Sequence, residues 1–96
     1  MQFLVIARDG NDAEALNRRL AVREAHLEGM KPRKKKGELL VGGAILDEDG
    51  KMIGSASVVD FPDRAALQAW IDSDPYTTGG VWQHVDIFPM KVANLD

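Results

Sequence analysis

The sequence predicts an α+β fold in which two helices lie on one face of a four-stranded antiparallel sheet. Three observations lead there. Short β-branched runs and longer helical stripes follow one another in the order β-α-β-β-α-β. The segment Asp47-Glu48-Asp49-Gly50 joins the two central runs as a tight hairpin turn, with Gly50 suited to positive φ. The length of 96 residues is that of one domain, here residues 1–96, so sheet and helices share one thin core.

Gln2 to Arg8 reads as a buried strand, because Phe3, Leu4, Val5, Ile6 and Ala7 are continuous, apolar and partly β-branched. Asp9-Gly10-Asn11-Asp12 is a turn in which Asn11 or Asp12 is suited to cap the first helix. That helix runs from Ala13 to about Met30, with Leu16, Leu20, Leu27 and Met30 in one apolar stripe about 80° wide. Arg23 lies inside that stripe and His26 borders it, so two cationic side chains stand where core is expected. Gly29 and Pro32 weaken the helix, which is expected to break or kink there before resuming to Lys36 and stopping at Gly37. Glu38 to Leu46 is a strand whose Gly42-Gly43 pair implies a bulge, or close approach by a ligand or another backbone.

Lys51 to Phe61 is the return strand, with Ile53, Ser55 and Ser57 on one face and Gly54, Ala56 and Val58 on the other. Its small residues are set to meet Gly42-Gly43 across the hairpin and leave a flat open patch. Pro62 and Asp63 open the second helix, Asp63 as its cap, and Ala66, Leu67, Trp70 and Ile71 form the buried stripe. Val81 to Val92 is the last strand, where Val81, Gln83, Val85 and Ile87 alternate with Trp82, His84, Asp86 and Phe88. Pro89 places it at an edge or a bulge.

Composition excludes several classes of function. With no cysteine there is no disulfide, thiolate metal site or cysteine nucleophile. A net charge of −3 argues against broad affinity for nucleic acid. The one basic cluster, Lys31 to Lys36, contains no aromatic residue and is flanked by Glu28 and Glu38. It reads as a solvated helix end whose cations complement the dipole. Met1-Gln2 carries no basic segment, the run Phe3 to Ala7 is too short for a secretory signal, and no stretch is long enough to span a membrane. A soluble cytoplasmic protein with neither membrane nor nucleic-acid partner is expected.

The element order is the split βαβ, or ferredoxin-like, arrangement. Right-handed crossovers put both helices on one face of the sheet. With the first and third strands taken as parallel neighbours, both helices would end at the same edge. Asp74, directly after the second helix, would there meet His26, in the second half of the first. Pro75 fixes its own φ and pushes Asp74 away from helical geometry, so Asp74 should leave the helix extended. The other face, with Trp82 or Val85 exposed on it, should carry an apolar patch that a homodimer packing sheet to sheet would cover.

Several motifs stand in order along the chain: Arg23-x-x-His26-Leu27, then Gly37-Glu38-Leu39-Leu40-Val41-Gly42-Gly43, then Ala69-Trp70 leading into Asp74-Pro75-Tyr76, and last Gly80-Val81-Trp82. In this order and spacing the chain resembles the YCII-related (YciI) family over nearly its whole length. The resemblance implies a dimeric α/β barrel of ferredoxin-like folds, with a His–Asp dyad that by motif match falls on His26 and Asp74. It also implies kinship with a dehydrochlorinase acting on a chlorinated hydroxyquinol. Two departures bear on substrate specificity: Gly29 and Pro32 interrupt a helix that the family keeps whole, and Gly43-Ala44 stands where the family often has Gly-Pro. Neither touches the dyad.

Read as a site, Asp74 orients His26, and an imidazole titrating near neutrality moves a proton. Arg23, one turn before His26, would hold an anionic or phenolate oxygen. Tyr76 would add a hydroxyl, and Gly42 and Gly43 would admit a flat substrate. No serine is placed to act as nucleophile, so proton transfer or elimination fits better than acyl transfer. No cofactor is implied by the residues. The same side chains also suit a polar network tying the helices together, a non-catalytic binding pocket, or, by fold analogy, a haem-binding barrel with a histidine ligand. His84, beside Asp86, reads as a surface or dimer-interface residue.

Overall fold

In the computed structural model, which describes residues 1–96, seven elements follow one another. They are β1 (Gln2–Asp9), α1 (Ala15–Lys35), β2 (Leu39–Leu46), β3 (Met52–Asp60), α2 (Arg64–Ser73), the one-turn α3 (Pro75–Thr78) and β4 (Trp82–Met90). The sheet order is β2-β3-β1-β4 and every neighbouring pair is antiparallel. This is the ferredoxin-like α+β arrangement expected from the element order. Pro89 falls on an edge strand, where its missing N–H costs no ladder bond.

One step of the expected geometry is overturned. β1 and β3 are antiparallel neighbours, not parallel ones. Each helix runs back against the strand that precedes it, so α1 and α2 point in opposite directions and end at opposite edges. His26 and Asp74 meet because the two helices differ in length. At 1.5 Å per residue, the 21-residue α1 is about 31 Å long and the 10-residue α2 about 15 Å. Arg33, near the end of α1, lies over Phe61, just before α2 begins. Counted back from there, the end of α2 draws level with the middle of α1, where His26 sits.

β1 buries Phe3, Val5 and Ala7 beneath the helices. With Val59 and Phe61 they receive Leu67, Trp70 and Ile71 of α2, and the Phe61 and Trp70 rings stack with centroids 5.8 Å apart. Asp63 caps α2 by accepting the Ala66 N–H at 2.8 Å. The hairpin turn forms as expected: Gly50 has φ +83°, and Asp47 Oδ1 accepts from the N–H groups of Asp49 and Lys51. Gly42, Gly43 and Ala44 face Ser57, Ala56 and Ser55 across the β2–β3 pair, and the register shifts between Leu39 and Val41.

Three further expectations fail for physical reasons. The leucine stripe of α1 is not its buried face: Leu20 is 50% and Leu27 41% exposed, while Ala15, Arg19 and His26 are buried. The buried stripe is turned by about 100° from the leucines, at 100° per residue. α1 also runs unbroken through Pro32, because the proline removes a single donor and Lys36 N–H still reaches the Pro32 carbonyl at 3.1 Å. Gly37, at φ +79°, then ends the helix. Asn11 does not cap α1, and the cap position is Glu14; Asp12 acts only just ahead of it, its Oδ2 accepting the Glu14 N–H at 3.3 Å while the carboxylate also holds Arg18.

On β4, Trp82, Val85 and Ile87 all pack against the core. The register shift between Arg8 and Asp9 changes which alternate residues of β4 face inward. Trp82 and Val85 are therefore not on the open face, as expected from simple alternation. That face instead presents Leu4, Ile6, Val58, Val41 and Phe88, the last two 61% and 49% exposed. An uncovered apolar patch exists, made by other residues.

Candidate functional site

A pocket of about 270 Å³ opens between α1, α3 and the β2–β3 part of the sheet. Its floor is made of small residues, Gly42, Gly43, Ala44, Ser55, Ala56 and Ser57, which stop short of the helix layer. His26, Arg19 and Arg23 of α1 reach in from above, with Tyr76 and Trp82 at the sides.

Asp74 has φ −68° and ψ 139°, so the chain leaves α2 extended, as Pro75 dictates. The residue serves three groups at once. Its backbone ends α2, its Oδ1 accepts the Tyr76 N–H at 2.8 Å to start α3, and the carboxylate accepts from His26 Nδ1 at 2.8 Å and 3.0 Å. Pro75 supplies the first residue of α3, where a missing N–H is harmless. Gly79 lets this turn approach α1: a Cβ there would sit 3.2 Å from a Val22 methyl and 2.8 Å from the Pro75 carbonyl oxygen. The connector is thus a one-turn helix docked on α1, and it carries both Asp74 and Tyr76 to His26.

His26 and Asp74 are both buried. An ionised carboxylate only accepts hydrogen bonds, so the shared proton sits on Nδ1. In the neutral ring, Nε2 then keeps its lone pair and has no protein partner. The imidazole stacks on Tyr76 at 3.9 Å with 16° between the rings, and Trp82 meets it edge-on at 5.9 Å. Hydrogen bond and stacking together leave the ring one orientation. Burial pushes the Tyr76 phenol above its ordinary pKa of 10.0, against the opposing pull of Arg19 and Arg23.

Of the six residues singled out from sequence, His26, Arg23, Tyr76, Gly42 and Gly43 line the pocket. Asp74 stands behind His26, bonded to it but away from the cavity. His84 is elsewhere, exposed and paired with Asp86 at 3.0 Å. The basic run behaves as a solvated helix end, with Lys31 on Glu28 and Arg33 on Glu38.

Sequence reasoning missed Arg19, Ser55 and Trp82. Arg19 is buried with Asp9, Nη1 lying 3.1 Å from both carboxylate oxygens, and its guanidinium carbon sits 4.5 Å over the Tyr76 ring. Its Nη2 donates to Ser55 Oγ at 2.9 Å, and Trp82 Nε1 donates to the same atom at 3.2 Å. A signal did exist: Arg19 is seven residues before His26, hence on the same face of α1. No group of three or more His, Cys, Asp or Glu side chains gathers as a metal site, and no helix is long and apolar enough to cross a membrane.

Fold and site together define a ferredoxin-like α+β protein with a buried His–Asp pair behind a small pocket. The chain belongs to the YCII-related domain family, whose family model matches residues 1–91. It is 35% identical over 97 aligned positions to protein YciI of Escherichia coli O6:H1, covering 95% of this chain and 97% of that one. An uncharacterized protein of Haemophilus influenzae is 34% identical, with the same coverage. Among solved structures, 5-chloro-2-hydroxyhydroquinone dehydrochlorinase (TftG) from Burkholderia phenoliruptrix AC1100, in complex with 2,5-dihydroxybenzoquinone, superposes with a TM-score of 0.84. Its identity is 24%, over 97% of this chain and 96% of that one, a likeness of fold.

Proposed function

We propose that this chain is a small acid–base enzyme, a lyase or isomerase acting on a small phenolic or anionic substrate. The observation that carries the reading is the hydrogen bond from His26 Nδ1 to Asp74, with the other ring nitrogen unpartnered in a residue that lines the pocket. Nε2 takes a proton from a substrate C–H or O–H. The electron pair left behind either shifts a double bond or expels an anionic leaving group. In the first case the imidazolium, stabilised by Asp74, returns the proton to another atom of the product; in the second it gives its proton to that group or to solvent. Loss of a proton and a chloride, as the name of the dehydrochlorinase neighbour implies for that enzyme, is one reaction of this type.

Arg23 holds an anionic or phenolate oxygen, Tyr76 adds its hydroxyl, and Gly42-Gly43 admit a flat ring. With a substrate in hand, His26→Ala and Asp74→Asn are each expected to lower turnover by about 10²–10⁴-fold in a folded protein. If no turnover exists and the two changes alter only affinity, the pocket belongs to a binding module instead.

The open sheet face supports a second proposal, that two copies pack through Leu4, Ile6, Val58, Val41 and Phe88. Light scattering at micromolar concentration is expected to give twice the chain mass; a monomer mass would refute it.

A further inference from the structure

The Ser55 hydroxyl is held in one hydrogen-bonding role. Its Oγ accepts from Arg19 Nη2 at 2.9 Å and from Trp82 Nε1 at 3.2 Å. Neither a guanidinium nor an indole N–H is able to accept in return. A serine hydroxyl has two lone pairs and one proton, so these two donors fill both acceptor sites and leave only the proton. That proton has no acceptor among the protein's hydrogen-bonded groups, and Ser55 lines the pocket. We infer that Ser55 is a ligand-binding residue of fixed polarity, donating its O–H to an oxygen of the molecule held beside His26. That molecule is then a small anion that offers acceptor oxygens, not N–H donors, to the pocket floor.

The charges around the site agree with this class. Two guanidiniums, Arg19 and Arg23, line the pocket and no carboxylate does. The charge of Arg19 is matched by Asp9 outside the cavity, whereas Arg23 makes no ion pair. Asp9 also fixes the direction of Arg19: with Nη1 on the carboxylate, Nη2 is delivered to Ser55. A hydroxyl that accepts from a cation is polarised and becomes a stronger donor itself. A ligand N–H placed against Ser55 would meet no free lone pair, and an unpaired donor in such a pocket is strongly rejected.

Only the identification of this anion with the substrate rests on the proposed acid–base function; the polarity of Ser55 does not. The test is therefore a binding titration, read out by amide NMR shifts of the pocket residues. The probes are 2,5-dihydroxybenzoquinone and benzoate, which are anionic and present acceptor oxygens, and benzamidinium, a ring bearing N–H donors alone. Both anions should bind the wild type at millimolar concentration and benzamidinium should not. Ser55→Ala should weaken the anions by about tenfold or more, the loss of a hydrogen bond to a charged group, and Ser55→Thr should restore them.

The inference is overturned if the anions do not bind, if benzamidinium binds as well as they do, or if folded Ser55→Ala binds them like wild type. Should Ser55→Ala fail to fold, a crystal structure of the wild type with the quinone decides. A quinone oxygen within about 3.2 Å of Ser55 Oγ is expected, and all of them farther away would contradict it. The anion-binding readout requires no turnover, so failed catalysis and a failed Ser55 assignment give different results.

Discussion

Under α2, the sheet meets Leu67, Trp70 and Ile71, which close over Phe3, Val5, Val59 and Phe61 in one apolar cluster. Under α1, the same face of the same sheet meets Arg19 and His26 above a floor of glycine, alanine and serine. One half of the helix layer supplies the apolar burial that a chain of 96 residues needs most. The other half gives two of its three buried helix positions to polar side chains that require partners: Asp9 and Ser55 for Arg19, Asp74 for His26. The two halves are therefore expected to answer differently to the same kind of substitution.

The largest stability effects should come from leaving a buried charge alone. Asp9→Ala strips Arg19 of its counter-charge in a site with little water and should cost about 3–5 kcal/mol. Leu67→Ala, at a fully buried apolar position, should cost about 2–5 kcal/mol through lost transfer energy and a cavity. Removing both charges together, as Asp9→Leu with Arg19→Met, should be close to neutral, because the attraction within the pair does little more than offset its own desolvation. Urea denaturation of the four proteins checks the ranking. A double variant as unstable as Asp9→Ala would mean that the polar half contributes apolar-like stability and would erase the contrast.

A smaller effect separates the halves by pH. Tyr76 is the only tyrosine, so its ionisation is readable by ultraviolet absorbance without assignment. Its folded pKa lies above 10.0 because burial disfavours the phenolate. The unfolded chain thus loses its proton first. The stabilisation from this group is complete below pH 10, and is lost as the pH rises through the folded value. Stability of the wild type should fall in that alkaline window, and Tyr76→Phe should remove this part of the fall. A tyrosine titrating at or below its ordinary value would show the pocket wall to be wetter than its burial indicates.

The apolar half was legible in the sequence because its rules are local. Asp63 before a run with Leu67, Trp70 and Ile71 is a cap and a stripe in ten residues, and Gly50 and Pro75 each fix a backbone step by themselves. The polar half obeyed a different rule. Its leucines invite the assumption that they mark the buried face of α1, yet that face is chosen by what the sheet offers. Here the floor of small residues and the carboxylates of Asp9 and Asp74 accept Arg19 and His26. Ser55 carried no sequence signal, since its role depends on two donors 27 and 36 residues away. The meeting of His26 with Asp74 was anticipated for the wrong reason; the unequal lengths of antiparallel α1 and α2, not a shared edge, bring them level.

The most direct test needs no substrate. Nitrogen-15 NMR of the imidazole rings, at a pH where both histidines are neutral, reports which ring nitrogen carries the proton. The chain has two histidines, so exposed His84 serves as an internal reference. His26 is expected to be the Nδ1–H tautomer, its proton held on Asp74 and its Nε2 lone pair free, and Asp74→Asn is expected to weaken this preference. A His26 ring protonated at Nε2 in the wild type would leave no base for the pocket and would contradict the proposed chemistry.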